Sequence, residues 1–253
     1  MPYRRLPKTD IARVKTLKTV VELENQYSFR DLPLSYNLLN RAKTQLSLFE
    51  HHQALYIDKC KKWQINNAKF REEQNKIRTH ISHFIQVYNL AVARGDFKKD
   101  GKNYYNLPLE KNSLPDLNSE ESILLWGQNL IEGERMRISQ GGSAMTNPTI
   151  ANVRIHYEIF KDARTELQFL QGSIQHTRER FNAERIKTDL LIKEIWDEIE
   201  NKFSKLPPEE KIEACKKCGI IYYNRSNEND SEIFAEEYAE MTGYEKEAQN
   251  DRF

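Results

Sequence analysis

Two long stretches of this 253-residue chain contain almost no glycine or proline, and both carry apolar side chains at helical spacing. Neither residue occurs between Ser35 and Gly95, and Gly172 is the only one between Pro148 and Phe203. Apolar residues that recur every three or four positions indicate amphipathic helices. The whole chain holds nine glycines, too few for the turns of a Rossmann fold or a β/α barrel. We therefore predict an all-α fold.

Each stretch is long for a single helix, so the sequence predicts that each folds back on itself as an antiparallel hairpin. The first hairpin spans residues 35–95 and turns at 64–67, where two consecutive asparagines tolerate turn conformations. The second spans 147–205 and turns near Gly172 or within 175–182. We expect the two hairpins to form an elongated four-helix bundle with one long helical crossover.

The two stretches resemble each other when Phe49 is aligned with Phe160, a shift of 111 positions. The same shift superposes further pairs, namely Leu39 and Ile150, Ala42 and Val153, Lys43 and Arg154, Leu46 and Tyr157, and Leu48 and Ile159. The similarity has two explanations, an internal duplication or a chance match between amphipathic helices. A duplication would place two equivalent hairpins about a pseudo-twofold axis.

The remaining segments flank or join the two hairpins. They are a basic N-terminal arm with a short helix (1–34), a crossover with one helix (96–146), a short helix with an extended segment (206–225) and an acidic tail (226–253). The tail holds nine acidic residues against two basic ones, a composition typical of disordered segments.

Several local signals mark where helices begin and end. Thr9 or Asp10 is expected to cap the N-terminal helix, and Ser35 the first hairpin. Gly95 suits the left-handed position after a helix. Asn118 is expected to cap the crossover helix, and Asn147–Pro148 to begin the second hairpin. The run 219–223 is the one strand candidate, and no second strand is predicted to pair with it.

Four groups of short blocks stand out as a set. They are Pro2–Pro7 with Thr9–Asp10 and Ala12–Arg13, then Ile81–Val87, then Trp126–Gly127 with Ile131–Glu134, and Asn147–Ala151. Together they resemble an uncharacterised bacterial family of mostly helical proteins that has no established activity. The resemblance implies that the regions around His83, Trp126 and Asn147 belong to one recurring fold, and it transfers no catalytic residue or cofactor.

Charge and hydropathy narrow the class of protein further. Charged residues make up 30% of the chain, the net charge is +1, and the mean hydropathy is −0.79. No apolar run has the length needed to span a bilayer, and the N-terminus lacks the apolar centre of a signal peptide. We expect a cytoplasmic protein without a membrane partner.

The cysteines give only a weak signal for chemistry. Cys215 and Cys218 form a Cys-x-x-Cys motif, while Cys60 is remote in sequence. A structural zinc site needs four ligands, and no histidine follows in the C-terminal region. The pair lies at the end of a predicted helix, where the helix dipole does not favour a thiolate. The sequence leaves a redox or metal role for this pair open and favours an incidental motif.

Two histidines are weak candidates for metal binding. His80 and His83 lie three residues apart on one predicted helix face. Di-metal sites in helical bundles use Glu-x-x-His motifs, and neither histidine has a glutamate three residues before it. A bundle metalloprotein is therefore the third of the functional hypotheses.

Two basic groups are weak candidates for contact with nucleic acid or another anion. The N-terminal arm contributes Arg4, Arg5, Lys8 and Arg13, and the crossover contributes Arg135 and Arg137 before a glycine-rich loop. Basic arms bind phosphate backbones, and amides at a helix start bind phosphate groups. A nucleic-acid-binding protein is the second hypothesis.

The leading hypothesis is a non-enzymatic structural, scaffolding or protein-interaction module. Long amphipathic helices bury apolar area along a line and leave extended flanks for a protein partner or for self-association. The sequence presents no catalytic constellation, no cofactor motif and no evident small-molecule substrate.

Overall fold

The computed structural model describes residues 3–223, and the predicted acidic tail lies outside them. The described residues form five α-helices, one 3-10 helix and a pair of two-residue strands. The predicted all-α class is confirmed. None of the described helices combines the length and apolar character that crossing a bilayer requires.

The elements follow one another in a simple order. The helices are α1 (Asp10–Gln26), α2 (Tyr36–Arg94), a 3-10 helix (Lys99–Tyr105), α3 (Glu120–Ser139), α4 (Ile150–Lys202) and α5 (Pro208–Lys217). The strands β1 (Tyr3–Arg4) and β2 (Tyr222–Tyr223) pair antiparallel, with Tyr3 opposite Tyr223. The strand expected to have no partner therefore pairs with the beginning of the described chain.

The two predicted hairpin turns are wrong, because α2 and α4 are continuous helices of 59 and 53 residues. The side chain of Asn66 donates a hydrogen bond to the carbonyl of Lys62 at 3.0 Å, so its amide is satisfied within the helix. Gly172 also lies inside α4. Each long helix continues through these positions because its apolar face is covered by the other long helix instead of by its own second half.

Most of the predicted helix boundaries agree with the structure. The Thr9 hydroxyl accepts a hydrogen bond from the amide of Ala12 and caps α1. The Ser35 hydroxyl accepts one from the amide of Leu38 before α2. Gly95 has a φ of +85°, the left-handed conformation expected after a helix.

Two predicted helix starts need correction. The cap of α3 is Ser119, whose hydroxyl accepts from the amide of Ser122, and not Asn118. The side chain of a cap must reach the amide three residues later, and here that geometry belongs to Ser119. The Asn147–Pro148 peptide bond is cis, and α4 begins only at Ile150.

The chain forms two compact units, and each unit contains one half of α2 and one half of α4. Among residues 3–223, unit 1 consists of those up to Lys61 and those from Gly172 onward, and unit 2 consists of Lys62–Gln171. Within unit 1, the first half of α2 runs antiparallel to the second half of α4, and the rings of Phe49 and Phe181 lie 5.1 Å apart. Its apolar core also takes buried side chains from α1 and α5.

Unit 2 packs the second half of α2 against the first half of α4. The rings of Phe70 and Phe160 stack with centroids 5.4 Å apart. Tyr105 of the 3-10 helix packs edge-on against Tyr88 of α2 at 4.8 Å. Helix α3 approaches α4 closely at Gly127, where an added Cβ would lie 2.4 Å from the ring of Tyr157.

Candidate functional site

A pair of histidines interrupts the apolar contact between α2 and α4 in unit 2. The rings of His80 and His156 stack with centroids 4.1 Å apart and planes 14° apart. Nδ1 of His156 is buried and has no hydrogen-bond partner. Burial, together with the neighbouring His156 and His83, lowers the pKa of His80. The lowered pKa favours the neutral imidazole of His80.

The arrangement of the two stacked rings is unlike that of two ligands to one metal ion. Stacked rings present their faces to each other, whereas ligands to one ion must point their nitrogens at a common position. No group of three or more histidine, cysteine or carboxylate side chains within residues 3–223 is arranged to hold a metal ion. His83 lines a separate open groove of about 540 Å³ between α2 and residues 115–118.

In unit 1, polar side chains interrupt the apolar contact between α2 and α4. Nε2 of Gln45 donates to the Glu184 carboxylate at 2.9 Å and lies 3.1 Å from the Thr188 hydroxyl. Lys187 and Gln45 lower the pKa of Glu184, which keeps that carboxyl ionised. Outside them lies an open groove of about 690 Å³, lined by Asn37, Asn40, Arg41, Thr44, Gln45, Lys187, Leu190, Leu191 and Glu194.

A buried charge cluster in unit 2 was missed by the sequence analysis. Glu134 and Arg137 lie one helical turn apart on α3 and form an ion pair with Nη2–Oε2 at 2.8 Å. The Tyr105 hydroxyl also donates to Glu134. Glu134 further accepts from the amide of Met145, and Arg137 donates to the carbonyl of Ser143. The cluster fastens the loop after α3 to the 3-10 helix.

This arrangement argues against the predicted role of Arg137 as a contact for an anion. Its guanidinium is 6% exposed, lies over the ring of Phe97 and directs its donors to groups within unit 2. Arg135 is exposed and pairs with Glu132 at 2.9 Å. The only local sequence signal was the spacing of Glu134 and Arg137, which surface ion pairs also have.

Lys102 is a second buried charge that the sequence did not reveal. The residue is 1% exposed, and its ammonium donates to Oδ1 of Asn112 at 2.7 Å and to the carbonyl of Lys111 at 3.2 Å. Burial, with a contribution from the charge of Lys99, lowers its pKa. Both hydrogen-bond partners are neutral and belong to the linker between the 3-10 helix and α3, so Lys102 secures that linker.

The basic N-terminal arm is partly neutralised by α4. Arg4 forms ion pairs with Asp197 and Glu200. Arg13 donates to both carboxylate oxygens of Asp189, at 2.8 and 2.9 Å.

The other two arm candidates remain exposed. These two are Arg5 and Lys8. The four arm candidates therefore differ, because carboxylates of α4 hold the guanidinium groups of Arg4 and Arg13.

The Cys-x-x-Cys pair is buried in unit 1. Cys215 and Cys218 are free thiols with no exposed surface, and burial raises the pKa of both. A thiol with a raised pKa is a weaker nucleophile and metal ligand at neutral pH. Cys60 is also buried, on α2. These positions agree with packing roles for all three cysteines.

An exposed face of α4 in unit 2 combines apolar and acidic side chains. We call it the α4 face; it comprises Ile155, Ile159, Asp162, Glu166 and Phe169, which recur at three- and four-residue spacing. Its apolar members are unusually exposed: 57% for Ile155, 42% for Ile159 and 76% for Phe169. Asp162 and Glu166 are both exposed. Such a face fits a partner with apolar and basic groups.

A second exposed face on α2 has the opposite charge. We call it the α2 face; it comprises Ile65 and Lys69 of unit 2, which are spaced one helical turn apart. Ile65 is 58% exposed, and Lys69 is exposed as well. The chain therefore displays two faces of complementary charge, each with exposed apolar side chains.

Comparisons with known proteins find no relative. No protein-family model, no curated protein and no solved structure matches the chain. The resemblance to a bacterial helical family stays a prediction.

Proposed function

We propose that this protein is a non-enzymatic scaffolding module that associates with further copies of itself through the α4 face and the α2 face. The observation that supports this most directly is the exposure of Phe169 on the same helix face as the carboxylates of Asp162 and Glu166. Exposed apolar side chains next to charged ones are typical of interaction surfaces.

The α2 face provides the chemistry that such a surface requires. Lys69 would approach the carboxylates of Asp162 and Glu166, and Ile65 would meet the exposed apolar side chains that flank these two carboxylates. Complementary charges guide association and fix its register, and the apolar side chains supply most of the affinity.

The two faces differ, and this has a consequence for assembly. A contact between unlike patches leaves one patch of each copy unoccupied, so further copies can add until a ring closes or a filament extends. That property suits a scaffold.

The other two hypotheses receive less support. The ion pairs of Arg4 and Arg13 with carboxylates of α4 reduce the charge that a nucleic acid would meet. The stacked geometry of His80 and His156 does not favour a shared metal ion. The buried charged groups Glu134, Arg137 and Lys102 make contacts that fasten loops.

Sedimentation velocity of the full chain tests the proposal. We expect concentration-dependent association at about 0.05 M salt and weaker association at about 0.5 M salt, where charges are more strongly screened. Phe169→Ser, Asp162→Lys and Lys69→Glu should each reduce association. Mixing the Asp162→Lys and Lys69→Glu proteins should restore it, because each variant then meets a face of opposite charge.

Ile186→Ser is the matched control, because Ile186 is 63% exposed on α4 but lies outside the α4 face. This variant should associate like the parent. A parent protein that stays monomeric at every concentration and salt, or one whose association depends on Ile186 and not on Phe169, contradicts the proposal.

A further inference from the structure

The aromatic contacts of the two units are related by the same numbering shift that aligns the long helices. A shift of 111 positions maps Phe49 to Phe160 and Phe70 to Phe181. The contact between Phe49 and Phe181 in unit 1 therefore corresponds to the contact between Phe160 and Phe70 in unit 2. Facing positions of any antiparallel helix pair are related in this way, so the specific observation is that phenylalanine stands at all four positions.

The buried positions of α2 and α4 follow the same shift. Five further pairs are buried at both positions: Ala42 and Val153, Ile81 and Ile192, Phe84 and Ile195, Ile85 and Trp196, and Tyr88 and Ile199. These pairs extend over most of both helices. The correspondence therefore includes the packing of the long helices and not only their amphipathic period.

The short helices that precede the long ones also correspond. Thr9 caps α1 and Ser119 caps α3, and each hydroxyl accepts from the amide three residues later. A shift of 110 positions then superposes buried positions of the two helices, namely Leu17 and Gly127, Val20 and Leu130, and Leu23 and Gly133. The change from 110 to 111 corresponds to one extra residue between Gly133 and Val153, relative to the stretch between Leu23 and Ala42.

The segments that follow the long helices end in the same way. Asn106 directly follows the 3-10 helix and has a φ of +58°. Gly219 follows α5 after one intervening residue and has a φ of +89°. The next residue is a buried aliphatic one in each case, Leu107 or Ile220. Its amide donates to the carbonyl five residues earlier at 3.1 Å in both places. This is the Schellman arrangement at both ends.

The two ends of the described chain complete the pattern. Tyr3 lies opposite Tyr223 in the strand pair. In this last segment Asn106 matches Gly219, a shift of 113, which maps Tyr223 to Glu110, and the shift of 110 maps Tyr3 to Ser113. The end of the second part of the chain therefore meets the beginning of the first, at positions that correspond to two residues three apart in the linker.

We infer that the chain is a fusion of two equivalent repeats, repeat 1 (3–112) and repeat 2 (113–223). The two repeats pack against each other as the two subunits of a homodimer would. Each unit takes its first helices from one repeat and its last helices from the other. Neither repeat completes a unit alone, so the partner that fits its surface is a second copy of the same kind of repeat. This inference is independent of the association proposed through the α4 and α2 faces.

A circular permutant of the full chain tests the inference. Joining Phe253 to Met1 and opening the chain between Asn112 and Ser113 places repeat 2 before repeat 1. Equivalent repeats should fold in either order, with the parent's helical circular dichroism and a single thermal transition whose midpoint is within about 5 °C of the parent. Loss of the cooperative transition contradicts the inference.

A second measurement avoids dependence on the permutant alone. A protease site is inserted between Asn112 and Ser113 of the full chain, and the folded protein is cleaved. The two pieces should elute together on size exclusion and separate only on unfolding, with a midpoint that depends on protein concentration because two chains must associate. Pieces that separate as independently folded monomers, as closed hairpins would, overturn the inference.

Discussion

His80 of α2 stacks on His156 of α4, with ring centroids 4.1 Å apart in a part of unit 2 that is otherwise lined by apolar side chains. At the equivalent positions of unit 1, reached by the shift of 111, stand Leu191 and Gln45. The two units therefore differ in chemistry at a corresponding point, and only unit 2 carries imidazoles there.

We predict that acid destabilises the protein through this pair. Burial and the adjacent His156 and His83 lower the pKa of His80 below its ordinary value of 6.5, so the folded chain binds the proton more weakly than the unfolded chain. The contribution to stability is complete above about pH 6.5 and is lost as the pH falls below it. Denaturant unfolding at several pH values between about 7 and 5 measures the loss.

Importing the residues of unit 1 provides the comparison. The double variant His80→Leu with His156→Gln should lose less stability on acidification than the parent. His176→Gln removes an exposed histidine of α4 and should keep the parent's pH dependence. An identical pH dependence in parent and double variant would contradict the assigned role of the pair.

Removing the guanidinium from the buried cluster should be costly. Arg137→Leu leaves the fully buried Glu134 carboxylate without its ion-pair partner, a change that typically costs about 3–5 kcal/mol in the free energy of unfolding. Denaturant titration checks the value.

Two further variants decide whether charge is the cause. Arg137→Met combined with Glu134→Gln removes both charges and should recover part of the loss. Arg135→Leu breaks the exposed pair with Glu132 and should cost less than about 1 kcal/mol. If Arg135→Leu and Arg137→Leu lowered the free energy of unfolding equally, the burial of the Glu134–Arg137 pair would not be the cause of the loss.

Two helical glycines should respond oppositely to alanine. Gly127→Ala places a Cβ 2.4 Å from the Tyr157 ring and should destabilise by about 1–3 kcal/mol through overpacking. Gly172→Ala meets nothing within 4 Å and should stabilise α4 by about 0.5–1 kcal/mol. Thermal unfolding of the two variants measures both signs. Destabilisation by Gly172→Ala would argue against a continuous α4.

The corresponding ring pairs should show corresponding energetic coupling. Double-mutant cycles with Phe→Leu at Phe49 and Phe181, and at Phe70 and Phe160, should each give a coupling of about 0.5–1.5 kcal/mol. Leucine keeps apolar volume while removing the contact between rings. Strict additivity in either cycle would show that those two rings do not meet in solution.

The helices were predictable because their signals are local. Scarcity of glycine and proline, the apolar period and the caps at Thr9 and Gly95 act within a few residues, and each agrees with the structure. The buried cluster of Glu134, Arg137 and Tyr105 was not predictable. Tyr105 comes from a different element than Glu134 and Arg137, and a glutamate and an arginine at this spacing on a helix usually lie on a solvated surface.

The sequence by itself determined that the chain would be helical, where most of its helices begin and end, and that its two long stretches match. Only the tertiary structure decided that α2 passes through Asn66 and Asn67 without turning and that Phe49 meets Phe181 instead of a ring of its own stretch. An amphipathic helix fixes which face must be buried, but any segment with a complementary face can cover it. The choice among such segments depends on how all of them pack together.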